Sequence, residues 1–315
     1  MRRRTLPTSA GLQVAPMQNF GRTNNRGLDM NITGTQKVNE VTLSARLNYT
    51  YTKNKVVEFD EIPPSYTYQA YTGQSIGKPF IYIADGLYTP DDFDITVNPA
   101  NGAQTYQLKS GLANPGFAVA PGDIRYKDLN GDGLINNYDQ TYNSLFSSNI
   151  TPGIVYGFGL NAEWHGLNIG VFFQGAGRFS TNLVGKTENF FPFARSVNDA
   201  ALREEAMDRW TFADPYNQNV LFPRLSTANN GNNTRNSTWW YRDASYLRLK
   251  NIELGYTLKS EFVKKMHLNT VRLYVQGENL HTWDKVKFWD PEVTERSGSR
   301  YPISSTWTFG LNVTF

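Results

Sequence analysis

Apolar and polar residues alternate with a period of two in several well-separated stretches of this 315-residue chain. That is the pattern of strands with one apolar and one polar face. The clearest stretch is the last, where Trp307, Phe309, Leu311, Val313 and Phe315 oppose Thr306, Thr308, Gly310, Asn312 and Thr314. From Val41, the residues Leu43, Ala45, Leu47, Tyr49 and Tyr51 continue one face, and Thr42, Ser44, Arg46, Asn48 and Thr50 the other. Ile154, Tyr156, Phe158, Leu160, Ala162 and Trp164 alternate with Val155, Gly157, Gly159, Asn161 and Glu163. Weaker alternation runs from Leu28 to Thr33, from Leu167 to Gln174 and from Val271 to Gln276. Between Tyr246 and Tyr256 the phase slips, with Leu247 and Leu249 on one face and Ile252 and Leu254 on the other. A bulge near Lys250 would restore a common face.

Seven strands are therefore expected, and their connections differ in length. Gly34 to Asn39, His165-Gly166 and Leu258 to Asn269 are short, and they alternate with Lys53 to Gly153, Arg178 to Arg242 and Leu280 to Ser304. Short turns on one side and long loops on the other are a feature of transmembrane β-barrels. The alternative is a secreted, calcium-stabilised β-sandwich that binds glycan, and it has no need of such asymmetry. Trp164 and Tyr256 would close strands at one rim, and Trp307 and Tyr51 at the other, as two interfacial aromatic belts. Seven strands do not close a barrel around a substrate-sized lumen. Left open, they would present two unpaired edges to lipid. More strands are expected ahead of Met1, making residues 1–315 the C-terminal portion of a larger barrel.

Composition narrows the choice. Lys plus Arg number 31 and Asp plus Glu 28, a formal charge of +3 that gives no reason to expect nucleic acid. There is no cysteine, which excludes disulfides and thiolate metal sites. Aromatics reach 14%, yet no apolar run approaches the roughly 18 residues of a membrane-spanning helix. Barrel strands combine those two properties, because only every second residue meets lipid. Met1-Arg2-Arg3-Arg4 is basic, but Thr5-Leu6-Pro7-Thr8-Ser9 lacks the apolar core of a signal peptide, so a fragment of a longer chain is expected.

Several loop motifs carry a resemblance. GKPFIYIADGLY (Gly77 to Tyr88), PGDIRYKDLNGDGLINNYDQ (Pro121 to Gln140) and the stretch from Thr151 to Arg178 come in characteristic order and spacing. DASYLRLKNIELGYTL (Asp243 to Leu258), VRLYVQGENLHTW (Val271 to Trp283), WDPEV (Trp289 to Val293) and YPISSTWTFGLNVTF (Tyr301 to Phe315) follow. Together they resemble SusC/RagA-type TonB-linked outer-membrane transporters, from Leu6-Pro7-Thr8 to the terminal Phe315. The resemblance implies an all-β, antiparallel transmembrane barrel of about 22 strands with long extracellular loops, and an N-terminal plug domain that lies with the first strands outside residues 1–315. It also implies nutrient import driven by the TonB complex, with oligosaccharides or peptides as cargo and a SusD-like surface lipoprotein as lid.

Candidate chemistry is sparse. In DLNGDGLINNYD, Asp128, Asn130 and Asp132 occupy the first, third and fifth places of a calcium loop; Leu134 offers a carbonyl and Asp139 takes the twelfth place. A hydrogen-bonded Asx/Gly turn is the alternative. Catalysis finds no motif. His165, His267 and His281 lie far apart in turns or loops without metal-ligand spacing, and Asp290 with Glu292 reads as a solvated loop, not a glycosidase pair. Trp239, Trp240 and Tyr241, with Trp283 and Trp289, are candidate ligand or partner contacts, or else loop packing. Arg46, Glu163, Arg272 and Glu278 are expected inside, lining a polar lumen or forming a charge ladder along its wall.

Overall fold

The computed structural model describes residues 21–147, 151–184, 190–193, 204–228, 230–258, 263, 265, 267–292, 301 and 303–315, with positions 2, 3, 9, 11, 14, 17 and 18 before them. Most of Met1 to Ser9 (Leu6-Pro7-Thr8 included), much of Leu258 to Asn269, Val293 of WDPEV and Pro302 lie outside the described residues.

All seven expected strands form. They are β1 (Arg22–Val38), β2 (Val41–Glu58), β3 (Ile154–Trp164), β4 (Leu167–Gly177), β5 (Tyr246–Leu258), β6 (Thr270–Asp284) and β7 (Thr306–Thr314). Each pairs antiparallel with its neighbour in sequence, giving one meander in the order β7-β6-β5-β4-β3-β2-β1. The other sheets among the described residues have two strands each. At one end β1 turns into β2 through Asn39 and Glu40, and β3 into β4 through His165 and Gly166. Asn39, His165 and Gly166 all take the left-handed backbone that such two-residue turns demand. The first turn is shorter than Gly34 to Asn39, because hydrogen bonding between β1 and β2 continues down to the pair Val38–Val41. The three long connections leave from the opposite end.

Register shows what the alternation is for. Leu43, Ala162, Ile169, Leu254, Val275 and Phe309 form one continuous row across six strands. Val41, Trp164, Leu167, Tyr256, Leu273 and Leu311 form another, and Ile32, Leu47, Phe158, Phe173 and Leu249 a third. Directly opposed residues share a face, so one side of the sheet is apolar along these rows, with Gln36 and His281 as polar members at their ends. It is also uncovered: Leu160 and Leu311 are each 60% exposed and Phe309 81%. The other side carries rows such as Ser44, Asn161, Gly170, Glu253, Gln276 and Thr308. A sandwich would bury its apolar face against a second sheet; this face meets none among the described residues.

The bulge falls at Lys250. Phe172 pairs with Asn251 and Phe173 with Leu249, leaving Lys250 without a partner on β4. On β6 the pairing skips from His281 to Glu278. Lys250 Nζ donates to Asn279 Oδ1 at 2.9 Å, and Asn279 has a φ of 53°. The extra residue returns Leu247 and Leu249 to the face of Ile252 and Leu254.

The loops have a core of their own. Tyr82, Leu87, Ile124 and Tyr126 from the first long connection pack with Leu183, Trp210, Phe222 and Trp240 from the second, and Phe288 and Trp289 from the third lie against them.

Candidate functional site

The three connections are joined by buried polar groups as well as by apolar packing. Asp123 is fully buried at a tight turn, and its carboxylate receives Arg224 Nε at 3.1 Å and Nη2 at 2.9 Å. Asn230 Nδ2, Asn233 Nδ2 and the Ala120 N–H complete its shell at 3.0, 2.9 and 2.9 Å. A buried carboxylate without such donors would be costly. Beside it Gly122 has a φ of +88°, and a Cβ there would lie 2.2 Å from the Trp210 ring, so no other residue fits. Nearby, burial pushes the Tyr88 phenol up to about 12, against the opposing pull of the Arg125 guanidinium. Burial raises Tyr126 as well; its hydroxyl donates to the Asn232 carbonyl at 2.7 Å. The Tyr126 hydroxyl is thereby a fixed donor within the loop core.

Trp240 and Tyr241 sit within this framework rather than on its surface. Trp240 is fully buried, its Nε1 donates to the Asn233 carbonyl at 2.8 Å, and its ring meets Phe191 edge-on. Tyr241 is 3% exposed. Trp239 is half-buried and donates to the Leu221 carbonyl at 3.1 Å. Trp289 packs edge-on against Phe190 at 5.3 Å. The loop-packing alternative describes all four. Trp283 differs: it is 49% exposed on the apolar face of β6, 4.5 Å from the His281 ring, and belongs to the wall. His281 is accordingly a strand residue, not a loop residue.

Asp290 and Glu292 are not an unpaired loop pair either. Arg248, 2% exposed on β5, holds Asp290 through Nη2 at 2.6 Å and Glu292 through Nη1 at 2.8 Å, and its Nε donates to Thr282 Oγ1. Tyr246 donates its hydroxyl to Glu292. One guanidinium thus engages both carboxylates, which leaves no free acid–base pair. The expectation of an open loop failed because the partner, more than 40 positions away, gives no local signal.

The loop from Asp128 to Asp139 is a closed turn. Asp128 accepts the N–H groups of Gly131 and Gly133, both at 2.7 Å, and Asp132 accepts that of Leu134 at 2.8 Å. Asn130 Nδ2 donates to Asp132 at 2.8 Å, and this bond leads the causes that hold the Asp132 carboxyl below its ordinary value. Asp139 is fully buried, with its two oxygens on the N–H groups of Leu129 and Asn136 at 2.8 Å each. Among the described residues no group of three or more His, Cys, Asp or Glu side chains could hold a metal ion. The donor types and spacing fit calcium, whereas the inward commitment of Asp139 fits the hydrogen-bonded turn.

The polar face of the sheet is laced with side-chain pairs. Arg46 stacks over Phe172 at 4.3 Å, and Phe172 in turn covers Gly157 and Gly159, where a Cβ would lie within 3 Å of its ring. Arg272 pairs with Glu253 and lies 4.9 Å from the Tyr274 ring centre. Glu163 accepts from Asn168 at 3.4 Å and Glu278 from Gln276 at 3.0 Å. Large polar and aromatic groups thus line this face, opposite the apolar rows.

Comparison with known proteins agrees with this arrangement. Two TonB-dependent receptors of Formosa agariphila match: P3 is 28% identical and P26 26% identical, each over 99% of this chain. The likeness to the SusC/RagA-type TonB-dependent receptors holds along the whole chain. The solved RagAB peptide importer in its open-open state superposes with a TM-score of 0.66 at 20% identity, over 98% of this chain and 30% of that one. The RagAB peptide transporter gives 0.65 at 20% identity, over 99% and 31%. The fold is that of a SusC/RagA-type receptor barrel wall. No protein-family profile matches the chain. It spans 30% and 31% of the length of the two Formosa receptors.

Proposed function

We propose that residues 1–315 form the C-terminal part of the barrel of an outer-membrane, TonB-dependent importer. The observation that carries this reading is the single meander with an apolar face, a polar opposite face and all long loops at one end. Lipid would meet the apolar rows, and cargo would pass along the polar rows. The role is transport, not catalysis, and Arg248 leaves the one carboxylate pair in the sequence with no acid–base task. Relatives named as TonB-dependent receptors support energy coupling through the TonB complex, by way of the N-terminal region of the whole protein. The likeness to a peptide importer supports a peptide or oligosaccharide as cargo, and a SusD-like lipoprotein seated on the loop core is the proposed lid.

The test is growth of a deletion strain on peptides or oligosaccharides as sole nutrient source. Complementation with the full gene should restore uptake of one such class only when TonB is intact, and the region encoding these 315 residues should not suffice alone. Restored uptake by that region alone, or uptake indifferent to TonB, would contradict the reading.

Calcium at the loop from Asp128 to Asp139 is a second proposal, and it rests on ligand spacing. Calorimetry of the full-length protein against Asp132→Ala separates the two alternatives. Calcium uptake lost in the variant supports the ion, and equal heats in both proteins leave only the turn.

A further inference from the structure

A cleft of about 320 Å³ opens where β2, β3 and β4 leave the sheet at the long-loop end. Three backbone bonds build it. Thr52 donates its N–H to the Gly153 carbonyl at 2.8 Å, Gly153 donates to Arg178 at 3.2 Å, and Val56 donates to Gln74 at 2.8 Å. Lys53, Lys78 and Arg178 all line the cleft, and none of the described residues lining it is Asp or Glu. Three cations converging without a carboxylate repel one another unless an anion joins them.

Two of these cations are only partly committed. Lys78 Nζ donates to the Ser144 and Phe146 carbonyls, both at 2.7 Å, which leaves one of its three protons. Arg178 Nη1 donates to Tyr51 Oη at 2.8 Å with the guanidinium 5.2 Å from that ring's centre, so the fork is held in place with donors to spare. Ser75 and Thr52 add polar groups to the lining. The depth is informative too. Tyr51 belongs to the apolar face at the long-loop end of the wall, and a tyrosine there marks the level of lipid headgroups.

We propose that this cleft binds a phosphate-type oxyanion, held by Arg178 and Lys53 with the remaining proton of Lys78. At that depth the anion has two sources: the phosphate of an outer-leaflet lipid headgroup, or free phosphate from outside. The chemistry is independent of the transport reading; only the headgroup source rests on it.

The experiment uses the full-length receptor in two arms. In neutral detergent, calorimetry measures binding of inorganic phosphate. In phosphatidylcholine nanodiscs doped with a phosphomonoester lipid, native mass spectrometry counts the doped lipid that stays on the protein. Lys53→Gln with Arg178→Gln is the main variant, and the exposed Lys53→Gln alone guards against misfolding of the pair; heat-modifiable gel mobility confirms that each barrel is closed. Wild type should bind at least one probe, and the double variant should bind it about tenfold or more weakly. Binding of phosphate in detergent assigns the free ion, retention of the doped lipid alone assigns the headgroup, and both uphold the site. Binding of neither probe by wild type, or equal binding by the variants, overturns it.

Discussion

Arg248 illustrates how much one side chain holds. It is buried at the top of β5 and fastens Asp290 and Glu292, so this guanidinium, with the Tyr246 hydroxyl on Glu292, pins the third long connection to the wall. Arg248→Met would leave two carboxylates side by side without a counter-ion. Breaking such a pair costs about 3–5 kcal/mol, with the low end expected here because Glu292 is 35% exposed. A thermal melt of the full-length protein should fall, and proteolysis between residues 285 and 305 should speed up; an unchanged melt with an unchanged cleavage rate would refute the pin. Trp240→Ala should likewise lower stability by about 3–5 kcal/mol, as large core truncations do. If Trp240 contacted cargo instead, the variant would lose affinity while its melt stayed put.

At the scale of strands, the sheet was legible and the loops were not. Alternation marked all seven strands because each has one face in contact with lipid and the other with polar groups, and the phase slip marked Lys250 because the apolar set has to change parity there. Strand ends were harder to place. β2 runs on to Glu58 because pairing with β1 continues through Lys53 and Lys55, beyond the residues whose alternation records burial. The loop core left no periodic trace: Asp123 meets Arg224 across 101 positions, and the run Trp239-Trp240-Tyr241 reads equally as a contact or a core. Two expectations belong at this scale. Leu311→Arg on the apolar face should cost about 2–4 kcal/mol near the midplane while Asn312→Arg on the other face costs little; the readout is folded, heat-modifiable receptor in membranes, and equal yields would contradict the face assignment. Deleting Lys250 should leave assembly intact, since Asn251 and Leu249 already pair with the consecutive residues Phe172 and Phe173, and a regular strand keeps Leu247 and Leu249 on the apolar face; Lys250→Ala should assemble as well. A deletion that fails to assemble while Lys250→Ala succeeds would contradict the reading of Lys250 as the extra residue.

The seven strands are one sheet with two edges, for β1 pairs only with β2 and β7 only with β6 among the described residues. Exposed apolar rows and unpaired edges are tolerable in lipid only when further strands close the wall. On the proposed reading those rows form the lipid-facing surface of the closed barrel and the loop core stands above it. The alternation can be read with spin labels on single cysteines introduced one by one, since these 315 residues contain none and any cysteine elsewhere in the full-length protein is first replaced by serine. Labels at positions 307 to 313 of β7, in the full-length receptor reconstituted in bilayers, report collision with oxygen from lipid and with a nickel chelate from water. Positions 309, 311 and 313 should favour oxygen, and positions 308, 310 and 312 should favour nickel, with a period of two. A flat profile, or the opposite phase, would contradict the assignment of this face to lipid.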